Sequence, residues 1–384
     1  MKPRRKVVVF LDGEGRQGTL FDPFAAALRR RALRTARLTS SRPSPARFIR
    51  DMLFYSDVVH LRPDREDAGL AGLSARYEIA DIQLGEATLA QLGLSSPATA
   101  ALARSALACK NAAPAEIFDK FALNERLAEA GVLVPHQVPA DEIDAGRAAR
   151  TLGLPLLVKR RVAEGGRGVH IADTPAEAEA LLEAWRTPRA EAFFQRHIPG
   201  ELVMYGALFD DAGPVLERCF RATQLQDARG PSARIAVAAD PDVARAGRQI
   251  AQLLGLRGLA QFDFIRDVDG RLWHIDANAR CWGSMLAANA RCADFISAYE
   301  RLLAGLPPEA DRTAPTADDI GIHPHSILAA AATGSWSALI AEWRDFRRFC
   351  RSGPGPAYGA LIGLKAATIF VLSAGRPRAY AAAR

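Results

Sequence analysis

The sequence predicts an α/β fold, and three observations carry that prediction. A short β-branched run at residues 6–11 (KVVVFL) is followed by a stretch with helical spacing and then by a second apolar run at 57–61 (DVVHL). Farther along, short apolar runs alternate with helical stretches that open on capping residues. The 384 residues are 49% hydrophobic and 24% charged, which supplies both a core and a solvated surface and excludes a disordered chain. A chain of this length is expected to form two or three compact units.

The elements follow in order. Residues 6–11 end at Asp12-Gly13, a strand and its turn. Residues 22–36 place Phe24, Leu28 and Ala32 on one helical face, and 57–61 fits a second parallel strand. This β-α-β rhythm predicts a small doubly wound N-terminal domain. Its turn DGEGR (12–16) does not have the GxGxxG spacing of a dinucleotide loop. Residues 115–130 read as a helix closed by Gly131, with Pro135 beyond. Residues 154–159 (LPLLVK) read as a buried strand, leading into the glycine-rich 164–169 (EGGRGV) and a short strand at 169–172. Thr174, Pro175 and Glu177 open a helix, with Thr as cap and Pro in its first turn. Residues 193–198 form another strand, and 202–209 with 215–222 a hairpin around Asp211-Ala212-Gly213. After a helix at 240–254, strands at 259–266 and 272–276 join through Asp269-Gly270. From Thr313 onward the pattern is helical and rich in Arg and Ala, and no internal repeat is visible.

The formal net charge is +7, but of 50 Lys plus Arg only six are Lys: Lys2, Lys6, Lys110, Lys120, Lys159 and Lys365. With the abundance of Ala, this reads as a compositional bias of the source genome. Most Arg is therefore read as solvated surface, and an internal Lys is the more informative cation. No basic run is interleaved with aromatics, so nucleic acid is not an expected partner. The five cysteines (Cys109, Cys219, Cys281, Cys292, Cys350) show no CxxC and read as reduced thiols of a cytoplasmic protein. The apolar run at 7–11 is too short for a secretory signal. Residues 360–374 (ALIGLKAATIFVLSA) fall short of the ~20 residues a span needs and carry Lys365. A packed or interfacial helix is favoured there. Contact with a membrane surface stays open without being favoured.

Three blocks carry chemistry. The first pairs Lys120, in 118–121 (FDKF), with Lys159 at the end of an apolar strand. Compact ammonium charges of this kind suit nucleotide phosphates. The second is 164–169, whose glycines free backbone N–H groups to approach phosphate oxygens. A plain hairpin turn is the alternative, and its position directly after Lys159 favours the phosphate loop. The third is 261–280 (QFDFIRDVDGRLWHIDANAR). Asp263 and Asp276 fall on adjacent antiparallel strands, and Asn278 shares the face of Asp276. Three oxygen donors then converge, as a hard cation requires. Arg280 shares that face and suits an anionic group. Unpaired acids on such apolar strands would otherwise be costly.

In this order the motifs DK, LPLLVKRRVAEGGRGV, FFQRHIPGE and FDFIRDVDGRLWHIDANARCWGS resemble the ATP-grasp superfamily, nearest to its carbamoyl-phosphate-synthase-like group of carboxylate–amine ligases. Further pieces fit: VVVFLDGEGR at the start, Gly230-Pro231-Ser232, and ANARCADFISAYERLLAG. The resemblance covers roughly residues 5–310 and implies a two-lobed ATP-grasp fold. It places a pre-ATP-grasp α/β domain at 1–113, the ATP-grasp domain at 114–310 with a lid at about 120–197, and a helical C-terminal extension at 311–384.

Carried over by position, the resemblance implies that Lys120 and Lys159 contact the α/β-phosphates of ATP. Glu164, Gly165, Gly166 and Gly168 belong to the loop that closes over the triphosphate. Gln195, Arg196, His197 and Ile198 form the hinge whose backbone reads adenine, and Glu201 holds the ribose. Asp263, Asp276 and Asn278 bind one or two Mg2+, with Mn2+ an allowed substitute. Arg280 stabilises the transferring phosphoryl group, joined by Arg221. The chain reads DANARCWGS where the group reads EINPRFWGS, so Asp276 has one methylene less than the usual Glu. Altered geometry rather than lost activity is expected.

The implied reaction activates a carboxylate as an acyl phosphate for attack by an amine, two small-molecule partners, and a homodimer is a compatible assembly. Two other readings use the same fold: a degenerate ATP-binding scaffold or regulatory protein, and a small-molecule phosphotransferase. His323-Pro324-His325 reads as a loop rather than a metal pair.

Overall fold

The computed structural model describes residues 5–12, 18–41, 44–60, 66–85, 117–163, 168–186, 188–225, 232–307, 309 and 317–373. The chain begins with β1 (Arg5–Leu11), α1 (Gly18–Arg30), β2 (Arg34–Thr39), α2 (Pro45–Phe54), β3 (Asp57–His60), α3 (Glu66–Arg76) and β4 (Tyr77–Leu84). All pairs in this sheet are parallel, in the order β3-β2-β1-β4. The order reverses between β1 and β4, so their carboxyl ends border the crevice of a doubly wound sheet.

The helix expected to reach Ala36 stops at Arg30. Ala32 adopts a positive φ of 61°, which turns the chain into β2. The Ala and Leu of RTARLT alternate with Arg and Thr, a strand pattern that the helical reading overlooked. Arg37 on this strand is not a solvated charge. It is fully buried between Asp12 (2.9 Å) and Asp51 (2.6 Å).

Next come α4 (Lys120–Glu129), β5 (Gln137–Pro139), α5 (Ala145–Leu152), β6 (Leu156–Arg160), β7 (Val169–Ala172), α6 (Pro175–Trp185) and β8 (Ala192–Arg196). Their antiparallel sheet runs β5-β8-β6-β7 and forms a small lobe with its own core, in which Ala148, Leu152, Val158 and Phe194 are buried. The expected capping box is present: Thr174 accepts from the Glu177 N–H, and the Glu177 side chain returns to the cap.

The rest comprises β9 (Glu201–Phe209), β10 (Pro214–Leu225), β11 (Ser232–Val237), α7 (Pro241–Leu254), β12 (Gly258–Arg266), β13 (Leu272–Asn278), α8 (Gly283–Asn289), α9 (Phe295–Ala304), β14 (Ala317–Gly321), α10 (His325–Ala332), α11 (Trp336–Ser352) and α12 (Pro356–Ser373). Six strands form the central sheet, in the order β13-β12-β9-β10-β11-β14. One face carries Met204, Phe220 and Ile235 against α8, α9 and the C-terminal helices. The other carries Tyr205, Phe262 and Phe264 against α4, α7 and the N-terminal sheet.

The segment read as wholly helical after Thr313 therefore contributes a strand. β14 pairs with β11 at the sheet edge, Ile320 opposite Ile235. Its sequence ADDIG has no apolar periodicity, and Arg234 of β11 holds it through Asp319 at 2.5 Å. The His323 imidazole is buried beside Ser326 (2.9 Å) and Asp345 (3.5 Å). Among the described residues no group of three or more His, Cys, Asp or Glu is arranged to hold a metal.

Candidate active site

The β12–β13 hairpin sets the site. Asp263 faces Asp276 and Gln261 faces Asn278, but the next partner of Phe264 is His274, so the ladder skips Ile275. This is a β-bulge, a device that re-aims side chains. It lets His274 and Ala277 both be buried, while Asp276 and Asn278 keep to the face of Asp263. The Ile275 carbonyl accepts from Lys159 Nζ at 3.2 Å.

Two lysines converge on this hairpin from the small lobe and its entry helix. Asp119 caps α4, accepting from the N–H groups of Phe121 and Ala122 (both 3.0 Å), and its other oxygen accepts from Arg161 Nε at 2.8 Å. The cap places Lys120 at the first helical position, from which its ammonium donates to Asp276 Oδ1. Lys159, buried near the end of β6, also donates to Gln195 Oε1 at 3.1 Å. Arg280 donates to Asn278 Oδ1 at 2.7 Å and to its neighbour's carbonyl, Cys281 O, at 3.1 Å. The structure thus brings together Lys120, Lys159, Gln195, Asp263, Asp276, Asn278 and Arg280.

The electrostatics divide the two acids. Burial pushes the Asp263 carboxyl up to about 7, and the Asp276 charge adds to that, against Lys120, Arg280 and Lys159. Asp263 Oδ1 is buried without a hydrogen-bond partner. Burial also opposes ionisation of Asp276, but the charge and hydrogen bond of Lys120 hold it below the ordinary carboxylate range. Burial lowers Lys159 to about 8, assisted by the Lys120 charge. A hard cation matches this donor set. Mg2+ commonly takes one or two carboxylates and completes its shell with phosphate and water, and it would satisfy the orphaned Asp263 oxygen.

Sequence reasoning missed the polar chain behind Lys159. His274 Nδ1 donates to Asn124 Oδ1 (3.0 Å), the tautomer following from that acceptor. Asn124 Nδ2 and Gln195 Nε2 both donate to Gln137 Oε1, at 3.2 and 3.4 Å. Gln137 in turn donates to Phe121 O at 2.9 Å and Glu125 Oε1 at 3.0 Å. Burial, with the charges of Lys159 and Lys120 adding to it, lowers His274 to about 3, so it is neutral. The available signal was three polar side chains in otherwise apolar settings. Gln83 of β4 was missed as well. It accepts from the Cys281 N–H at 2.7 Å and so ties the loop after Arg280 to the N-terminal sheet.

Other expected residues stand apart. Phe220 and Asp263 both pair with Met204, so Arg221, next to Phe220, projects to the opposite face. There it meets Glu201 at 3.4 Å, with both side chains largely exposed. The structure therefore does not bring Arg221 to Arg280, and Glu201 stands with Arg221 on that opposite face. Gln195 sends its side chain inward to Lys159, while Arg196 donates to Leu152 O at 3.3 Å. His197 is half-buried, which lowers its pKa, and Ile198 follows the end of β8. Glu164, Gly165 and Gly166 lie outside the described residues. Gly168 is required by packing, since a Cβ there would lie 2.4 Å from that of Ala163.

Residues 119–307 match the family model described as carbamoyl-phosphate synthase L chain, ATP binding domain. Over this segment the chain resembles the ATP-grasp superfamily. A relative described as probable alpha-L-glutamate ligase 2 of Hahella chejuensis is 31% identical over 189 residues, covering 47% of this chain and 62% of that one. Among solved structures, N5-carboxyaminoimidazole synthetase from Staphylococcus aureus complexed with ADP aligns with a TM-score of 0.59 at 16% identity, covering 80% of this chain and 79% of the other. The L-amino acid ligase from Bacillus licheniformis aligns at 0.56 and 14% identity, covering 82% and 78%. The biotin carboxylase domain of Hydrogenobacter thermophilus 2-oxoglutarate carboxylase, in complex with MgADP, ADP and bicarbonate, aligns at 0.59 and 17% identity, covering 79% and 70%. At these identities the structures establish the ATP-grasp fold.

Proposed function

We propose that this protein uses ATP and Mg2+ to activate a carboxylic acid as an acyl phosphate, which an amine then attacks. The observation that carries the reading is the Asp263/Asp276 pair on one hairpin face. One acid oxygen there is orphaned, and Lys120 and Lys159 stand beside it. The relatives described as ligases support the same chemistry.

Lys120 and Lys159 hold the α/β-phosphates. Lys120 and Asp276 now partner each other, and a triphosphate with its cation offers each a stronger partner of opposite charge. Asp263, Asp276 and Asn278 would hold one or two Mg2+, which would supply positive charge against the phosphates. The backbone of residues 195–198 reads adenine, Glu201 holds the ribose, and the glycine loop from Glu164 to Gly168 covers the triphosphate and excludes water. A substrate carboxylate oxygen attacks the γ-phosphorus, and the bond to ADP breaks. Arg280 stabilises the phosphoryl oxygens, held in place by Asn278. The amine nitrogen then attacks the acyl carbon, loses a proton and expels phosphate.

Incubation with ATP, Mg2+, an acid panel and hydroxylamine tests this. Hydroxamate and ADP formed in equal amounts are expected. Bound ATP with no turnover on any acid would favour a scaffold, and a phosphorylated product inert to hydroxylamine a phosphotransferase.

A further inference from the structure

Helices α11 and α12 form an antiparallel hairpin, with Trp336 packed on Phe370 (4.4 Å between rings) and Trp343 against Gly363. Of the 18 residues of α12, four are buried: Tyr358, Ile362, Ala366 and Phe370, a single narrow stripe. Leu361 and Ile369 flank that stripe half-buried, and the opposite side of this nearly uncharged helix faces outward, with Leu364, Val371 and Leu372 70%, 71% and 76% exposed. A helix apolar on all sides is normally covered on all sides. Helix α11 supplies the border. At 100° per residue, Trp336, Ile340, Trp343, Arg344, Arg347, Arg348 and Arg351 fall within an arc of about 140°. The apolar members occupy its first half, with exposed Arg347 among them, and exposed Arg351, Arg344 and Arg348 occupy its second.

We propose that the α11–α12 hairpin docks flat on an anionic phospholipid surface. Charge is sorted for it. The only acids among the described residues of α10, α11 and α12 are Glu342 and Asp345, and both are engaged: Glu342 with Arg234, Asp345 with Arg291 at 3.0 Å and Arg348 at 3.9 Å. Tryptophans beside apolar side chains and long cations are the side chains an interfacial helix presents. A two-fold contact with a second copy would pair this patch with itself, and the patch holds no unengaged acid to meet the arginines, which disfavours that occupant. By length and composition α12 could cross a membrane. Its stripe is nonetheless fixed in the core, Tyr358 lying 5.6 Å from Phe54 and 6.3 Å from Phe349, so it lies along the surface.

Sedimentation with vesicles tests this, using equal parts phosphatidylcholine and phosphatidylglycerol against phosphatidylcholine alone. The full chain is expected to bind only the mixed vesicles and to lose about tenfold in affinity when salt shortens the screening length. The exposed triple L364S/V371S/L372S and the pair R344E/R347E are each expected to weaken binding about tenfold or more. No binding, equal binding to both vesicles, or variants that bind like the parent would overturn the proposal. So would a concentration-dependent dimer that the serine triple dissolves, because a second copy would then cover the face.

Discussion

The ammonium of Lys159 sits 3.2 Å from the carbonyl of Ile275, the residue that the hairpin ladder passes over. The bulge thus does two things at once: it turns Asp276 toward Asp263 and gives Lys159 a backbone anchor. With Gln195 as its second partner, the lysine is held before any anion arrives. Replacing it by methionine keeps the stem and removes the charge. The expected loss is about 1.5–3 kcal/mol of nucleotide binding, roughly ten- to a hundredfold. Nucleotide titration reads this, and an affinity unchanged within twofold would remove Lys159 from the site.

Behind that lysine, His274 and Asn124 form a buried neutral pair. His274→Phe leaves the Asn124 oxygen with no donor from β13 and is expected to cost about 1–3 kcal/mol of stability. Adding Asn124→Leu removes the orphan, so the double variant should lose less than the sum of the singles. Urea unfolding of all four proteins measures the coupling. Strict additivity would show that the two side chains act independently.

The legible parts of this molecule were those with local signals. The hairpin turn at Asp269-Gly270, the capping box at Thr174 and the two rare lysines all declare themselves within a few residues. β2 was hidden because Ala32 extended a helical spacing past the real end of α1. The bulge at Ile275 leaves no mark in composition, and the burial of Arg37 depends on Asp12 and Asp51 arriving from elsewhere in the chain. The face of Arg221 was likewise settled by register rather than by proximity in sequence. Pairing across distant segments is where reading by pattern stops.

Acid should loosen the C-terminal helices. Burial works against the Asp345 carboxylate, but the His323 imidazole, the Gly321 N–H and the Arg291 charge outweigh it and hold the pKa at about 2. A folded pKa below the unfolded value stabilises at higher pH. That contribution is complete above about pH 5 and is lost as pH falls toward 2, amounting to about 2 kcal/mol. Thermal melts across this range should therefore fall more steeply for the parent than for Asp345→Asn. Parallel curves would show that Asp345 does not carry the effect.

Arg280 and Arg221 provide a contrast between two arginines. Arg280 is buried, fixed by Asn278 and the Cys281 carbonyl, beside the paired acids. Arg221 is on the other face in an exposed contact with Glu201, and such pairs contribute about 0–1 kcal/mol. Arg280→Lys loses the planar fork and is expected to lower the rate of hydroxamate formation about a hundredfold or more. Arg221→Ala should change it by no more than about fivefold. Equal losses in the two variants would mean that Arg221 acts on the reacting group after all, against the register that sets it on the opposite face of the same sheet.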